Sequence, residues 1–293
     1  MTASASGLRV VTFNVLPIAY QMIAGWAAQT GNKLVLVVTT PGPSTRRTPS
    51  YRGVVESAPP GQDVLVTTRL RHVALPLIRA LQPDLIVSMT FPYRIPPELT
   101  SIPRFGALNL HPAPLPYYRG PNPARLIYDG FPTLGATLHR TAEEFDTGVI
   151  YSLQTAPLPD PVTPEAIFAV WPSLMTRAFA EGVEAAVSGA PGTPQDHSKA
   201  TYAAQFSAEE HWIDWAEPRA VIQCKVTALN LLGQPSARAQ IAGKPHIIQR
   251  VETLAEAPAG AAAGTILDHN NTSMVIAVGD GAVRVFATLL EGE

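Results

Sequence analysis

Cysteine is nearly absent. Cys224 is the one thiol in 293 residues, which excludes an internal disulfide and any paired-cysteine metal knuckle. The reducing cytoplasm is the compartment such usage implies. Charge is scarce too, at 15% Asp, Glu, Lys and Arg, and it balances to a net −2. The chain therefore lacks the global basic field that draws a protein onto nucleic-acid phosphates. The apolar stretch 8–28 is interrupted by Arg9, Asn14, Pro17 and Gln21, and no small-residue cleavage site comes after it. It reads neither as a signal peptide nor as a membrane span, which needs roughly 18 unbroken apolar residues. The seven histidines show no HxxxH or HxH spacing, so a metal site is not expected. No GxSxG elbow offers a serine nucleophile, and no Gly-rich fingerprint trails the first apolar run to hold a dinucleotide.

What is present is a core: 46% of the residues are hydrophobic, enough for a large folded domain or two. Only the first seven residues, MTASASG, and short linkers read as disordered. LRVVTFN (8–14), KLVLVVTT (33–40), DVLVTT (63–68), DLIVSM (84–89) and GALNLH (106–111) are short runs rich in Val, Ile and Leu. They read as buried strands, with helical spacing in PIAYQMIAGWAAQTG and RHVALPLIRALQP between them. Alternation of this kind predicts an α/β domain around a mostly parallel sheet. LGATLHR and GVIYSLQTA extend the sheet, and the long amphipathic stretch from Pro164 predicts a helix kinked or divided at Pro172. Composition then shifts. An α/β domain is expected over 1–188, a Gly/Pro/Ser-rich linker over 189–204 and a small β-rich domain, a barrel or a sandwich, over 205–293.

The dense segment runs from Asn109 to Gly148. Asn109 and His111 sit two apart at the end of an apolar strand, so their side chains leave one face of the sheet. The carboxyl edge of a parallel sheet is where ligands bind in open α/β folds. Three prolines within five residues, Pro112 to Pro116, stiffen the chain up to Tyr117-Tyr118-Arg119-Gly120. Phe145-Asp146-Thr147-Gly148 then sets a carboxylate in a turn before another strand. An amide, an imidazole and a carboxylate suit acyl transfer to a neutral amine. Asn109 and His111 would donate hydrogen bonds to the carbonyl oxygen as it gains charge, worth roughly 10²–10³ in rate per good donor. Asp146 would take the amine's proton and orient His111, worth roughly 10²–10⁴. His139, on a neighbouring strand, reads as a structural or supporting residue.

NLHPAPLPYYRG, GATLHR and EFDTG together resemble the Asn-x-His…Leu-Pro-x-x-x-Gly…Asp-x-Gly signature of the 10-formyltetrahydrofolate-dependent formyltransferases. HWIDW (211–215), TALN (227–230) and VGDGAVRV (278–285) are similar to the carboxyl-terminal domain of the methionyl-tRNA formyltransferases. That resemblance implies a Rossmann-like formyltransferase domain followed by an OB-like β-barrel. Asn109, His111 and Asp146 are then its catalytic residues, and the Leu115-Pro116 bond is cis. The folate would lie against Met89, the loop carrying Phe91, Arg94, Ile95 and Pro96, and the loop carrying Glu143, Glu144 and Phe145. Tyr117, Tyr118, Arg119 and Gly120 would shape the acceptor pocket, although packing of the proline loop also explains them.

The acceptor is less plainly written. Ala113-Pro114 stands where the tRNA enzymes usually read Ser-Leu, and GATLHR resembles the sugar-nucleotide N-formyltransferases equally well. The 41–53 loop carries Arg46, Arg47 and Arg52, which suit tRNA, a nucleotide-sugar diphosphate or plain solvent exposure. Residues 205–293 hold six Lys and Arg against ten Asp and Glu, a net of −4 that leaves +2 for the remainder. An acidic domain is a poor platform for RNA. The sequence therefore favours a small amine, such as an amino sugar nucleotide or an amino acid derivative, as acceptor. Methionyl-tRNA is the alternative, and water, which would make the chain a 10-formyltetrahydrofolate hydrolase, comes third.

Overall fold

In a computed structural model, residues 7–41, 51–254 and 261–290 are described; Arg46 and Arg47 lie outside them. Contacts divide the chain into two compact units: 1–119, 135–155 and 173–201 form one, and 120–134, 156–172 and 202–293 the other.

The first unit is built on a seven-stranded sheet. Its parallel part comprises β1 (Arg9–Asn14), β2 (Lys33–Thr39), β3 (Val64–Val66), β4 (Leu85–Met89) and β5 (Ala107–His111). Two longer strands, β6 (Thr133–Arg140) and β7 (Ile150–Pro157), complete the order β3-β2-β1-β4-β5-β6-β7, with β6 antiparallel to β5. β1, β2 and β4 are apolar on both faces because helices cover both. Leu36 and Val38 join a cluster with Val11, Phe13, Ile78, Ile86 and Leu99, while Val37 between them packs with Tyr20 and Val54. Burying each such side chain contributes about 1.5–3 kcal/mol.

Helices form over Pro17–Gln29 and Leu75–Leu81, inside the stretches whose spacing predicts them, while the short helices at Tyr51–Ser57 and Pro97–Thr100 carry no such spacing. α1 (Pro17–Gln29) begins with proline at its first turn, where no N–H is needed, and stops at Thr30 and a left-handed Gly31. α2 (Tyr51–Ser57) lies on α1 through Gly53, where an added Cβ would come within 2.5 Å of the Pro17 ring. A π-turn at Leu70–Ala74 runs into α3 (Leu75–Leu81), and the four-residue α4 (Pro97–Thr100) precedes β5. α5 (Arg125–Tyr128) is equally short. The stretch from Pro164 is a single helix, α6 (Pro164–Val187), which continues through Pro172. No helix among the described residues is long and apolar enough to cross a membrane. Because β1 neighbours both β2 and β4, the sheet order reverses between β1 and β4, and β5 is the next strand beyond that point.

The second unit holds α7 (Arg219–Asn230) and then five strands: β8 (Arg238–Ile241), β9 (Lys244–Leu254), β10 (Ile266–His269), β11 (Met274–Val278) and β12 (Gly281–Leu289). They form an antiparallel sheet in the order β10-β11-β12-β9-β8. Gly279 and Asp280 make the tight turn between β11 and β12, and the Asp280 carboxylate accepts the first free N–H of α7 at 2.7 Å. At the other end of α7, the Asn230 amide donates to the Ile248 and Gln249 carbonyls of β9. Arg125 and Glu210 pair through two bonds, of 2.5 and 3.0 Å, in the same unit.

Candidate active site

Strand register builds the site. Asn109 on β5 lies level with Ser88 on β4 and with His139 on β6, so the three polar side chains form a row on one face. Ser88 Oγ donates to Asn109 Oδ1 at 2.7 Å. The Asn109 amide then faces His139 Nε2 at 3.2 Å and Asp146 Oδ1 at 3.3 Å. His139 Nδ1 lies 2.9 Å from the Arg140 carbonyl and donates to it, which leaves Nε2 as the acceptor for Asn109. His111, two residues beyond Asn109, reaches the other carboxylate oxygen: Nδ1 is 3.6 Å from Asp146 Oδ2. Its Nε2 donates to the Tyr118 carbonyl at 2.7 Å.

Burial decides the charge of His111. Loss of solvent pushes its pKa down from the ordinary 6.5, against the raising pull of Asp146 and of the Tyr118 carbonyl. A neutral ring with its proton on Nε2 turns the Nδ1 lone pair toward Asp146. The pair thus has room for one more proton.

Asp146 is itself buried, at 7% exposure, and its backbone is left-handed, with φ of 58°. Aspartate tolerates that conformation better than most residues but at a cost. The turn is tight behind it, since a Cβ on Gly148 would fall 1.8 Å from the Arg140 carbonyl oxygen. Gln195 Nε2 donates to the carbonyls of both Asp146 and Gly148, each at 2.8 Å. The proline loop is pinned in turn. Thr137 lies opposite His111, donates to the Ala113 carbonyl and accepts from the Leu115 N–H. Gly135 leaves space for Pro114, and the Leu115–Pro116 bond is cis.

The other residues singled out from the sequence fall into three places. Met89, at the end of β4, and Ile95 are buried, and Phe91 packs edge-on against Phe13 at 5.2 Å and Tyr93 at 6.1 Å. Arg94 reaches Glu143 at 3.3 Å, so the loop ending at Pro96 and the loop carrying Glu143, Glu144 and Phe145 face each other. Phe145 is an exposed aromatic next to Asp146. Tyr118 is buried and left-handed; it supplies its carbonyl to His111. Arg119 turns inward, giving Nε and Nη2 to Gln195 Oε1 and contacting His197. Gly120, counted with the second unit, adopts a φ of 111° where a Cβ would strike the Tyr202 ring. Reading by residue type misses Ser88 and Gln195. Strand register with Asn109 could have found the former, and nothing in its Gly/Pro/Ser-rich surroundings signals the latter.

Two family profiles match this chain: "Formyl transferase" over residues 33–167 and "Formyl transferase, C-terminal domain" over 205–292. The methionyl-tRNA formyltransferase of Ralstonia nicotianae is 32% identical over 215 residues, 72% of this chain and 65% of the relative. The methionyl-tRNA formyltransferase of Thiobacillus denitrificans is 29% identical over 281 residues, 94% of this chain and 90% of the relative. An N-formyltransferase from Helicobacter canadensis, solved with folinic acid and dTDP-3-aminofucose, superposes with a TM-score of 0.68 over 95% of this chain and 98% of its own. At 14% identity that likeness is one of fold. Carrying the profiles of both halves, the chain belongs to the formyl transferase family.

Proposed function

We propose that this chain transfers a formyl group from 10-formyltetrahydrofolate to the primary amine of methionyl-tRNA, with Asn109, His111 and Asp146 as its catalytic residues. The observation that carries the chemistry is the buried Asp146 carboxylate, held between the Asn109 amide and two imidazoles at the edge of β5.

The loops beside it suit a reduced folate. Thr90, just past the end of β4, has a left-handed backbone and a buried hydroxyl with no hydrogen-bond partner among the described residues. Phe91, Tyr93 and the exposed Phe145 bring aromatic surface to the same two loops. A flat heterocycle with polar edges needs both. Met89, the 91–96 loop and the 143–145 loop would hold it, and the bound folate supplies the activated formyl carbon. The Asn109 amide donates to the carbonyl oxygen as negative charge develops; its present bonds are long enough to be exchanged for a shorter one. Asp146 accepts the proton that the amine loses, and the Asp146–His111 pair returns a proton to the folate nitrogen as its bond to the formyl carbon breaks. The Nδ1 lone pair of His111 shares that proton, and the Tyr118 carbonyl stabilises the ring as it gains charge. No covalent enzyme intermediate is required.

The tRNA acceptor rests on the relatives, whose likeness runs through both halves of the chain, and it replaces the small amine that the motif departures and the charge partition favour. The small-amine reading keeps one specific observation in its support, the net −4 over residues 205–293. Purified protein offered initiator methionyl-tRNA and an amino sugar nucleotide side by side tests the choice. Formylation of the tRNA, weakening steeply with salt, supports the first reading. Robust transfer to the small amine with an inert tRNA overturns it.

A further inference from the structure

We propose that Gln195 is a positioning residue for formyl transfer, acting through the backbone of Asp146; this rests on the reading of Asp146 given above. The stretch 189–204 has the composition of a connector, yet Gln195 within it is 7% exposed. All of its side-chain hydrogen-bonding capacity is used. The two amide protons go to the Asp146 and Gly148 carbonyls, and Oε1 accepts twice from the Arg119 guanidinium, at 3.1 and 2.6 Å.

The bonds to Asp146 and Gly148 hold both ends of the turn that carries the carboxylate. Asp146 sits in a left-handed conformation, φ 58°, which aspartate tolerates better than most L-residues but leaves when it can. The amide of Gln195 closes that exit. Its own position is fixed from both sides. Thr193 exchanges two backbone bonds with Ile150, each 2.8 Å, and Thr201 accepts from the Tyr118 and Arg119 N–H groups. The same strap therefore supports Asp146 through Gln195 and, through Thr201, the residue Tyr118 whose carbonyl accepts the hydrogen bond of His111 Nε2. The two ends of the Asp146–His111 pair share one brace. Misplacement of a reacting group by about 1 Å can cost on the order of 10²-fold in rate, so the brace bears on turnover more than on folate affinity.

The experiment compares wild type, Gln195→Leu, Asp146→Asn and the double variant in formyl transfer from 10-formyltetrahydrofolate to initiator methionyl-tRNA, or to the small amine that the side-by-side assay identifies. Gln195→Leu is expected to lower kcat by at least about tenfold while KM for the folate moves less than about threefold. In the Asp146→Asn background the same change should cost less than about twofold, because its effect passes through a carboxylate no longer there. An unchanged kcat overturns the proposal. So does a loss that recurs in full in the Asp146→Asn background, or one in which KM rises in step, since a merely structural role would give either. Should Gln195→Leu fail to fold, Gln195→Glu keeps the volume and the Arg119 contact, lacks both donors and carries the same expectations. A wild type that forms no product ends the formyl-transfer reading and this inference with it; an active wild type beside an equally active Gln195 variant ends this inference alone.

Discussion

Replacing Asp146 by asparagine isolates the chemical step. The substitution keeps shape and volume, and asparagine accepts the left-handed φ of 58° as readily as aspartate. A buried charge disappears, and the new amide can donate to the His111 Nδ1 lone pair that now faces the carboxylate at 3.6 Å. Folding stability should therefore hold or rise slightly. Proton acceptance is lost. A well-placed general base contributes roughly 10²–10⁴ in rate, about 2.7–5.4 kcal/mol at 1.36 kcal/mol per decade. Steady-state turnover at saturating folate and acceptor should fall by at least about 10²-fold, with folate affinity by calorimetry within about threefold of wild type. Turnover within about threefold of wild type would remove Asp146 from the chemistry, and with it the proton inventory drawn for His111.

Three further outcomes are expected from the same geometry. His111 is kept neutral by burial, its folded pKa below the unfolded 6.5, so stability is full above that pH and is lost as pH falls through it. Urea unfolding at pH about 7.5 and about 5.5 should show a smaller acid loss in His111→Asn, by up to roughly 1.4 kcal/mol per pH unit, and an identical slope would contradict the assignment. Gly148→Ala drives a Cβ to 1.8 Å from the Arg140 carbonyl oxygen. It should lower stability by about 1–3 kcal/mol in thermal melts and activity with it, whereas a wild-type melt would mean that the turn can open. In the second unit, Arg125 holds the Glu210 carboxyl down at about 2 from 4.5, which stabilises the fold above the higher value and ceases to do so as pH falls toward the lower. Glu210→Gln should cost about 1–2 kcal/mol near neutral pH after allowing for solvent screening, and a cost that persists at pH about 2 would point to packing instead.

Much of the first unit is legible from side-chain pattern because its forces are local. The Val-, Ile- and Leu-rich runs that become β1, β2, β4 and β5 are bounded by turn residues, and Asn109 and His111 interrupt an otherwise apolar run at its end. Such a disruption costs stability and so signals use. His139 and Ser88 are harder to see, since they join Asn109 only through register across two neighbouring strands. Gln195 is harder still. Gly, Pro and Ser around it speak of turns, but burial there comes from Thr193 and Thr201 pairing with residues 43 and 83 positions away, as the bonds to Ile150 and Tyr118 attest. Arg119, grouped from sequence with Tyr117 and Tyr118 as residues that shape the acceptor pocket or pack the proline loop, has its guanidinium bonded to Gln195. Pro172 marks a break by its chemistry, and the helix nevertheless continues through it.

The central claim is that the polar cluster around Asp146 moves a formyl group from a reduced folate to an amine. Its most direct test is product stoichiometry: the full chain, 10-formyltetrahydrofolate and initiator methionyl-tRNA, with tetrahydrofolate followed by absorbance and the acceptor by mass. One formylated amine for each tetrahydrofolate, and neither without acceptor, is the result predicted. Tetrahydrofolate released with formate in the absence of any amine, or no tetrahydrofolate beyond the enzyme-free rate, would contradict it.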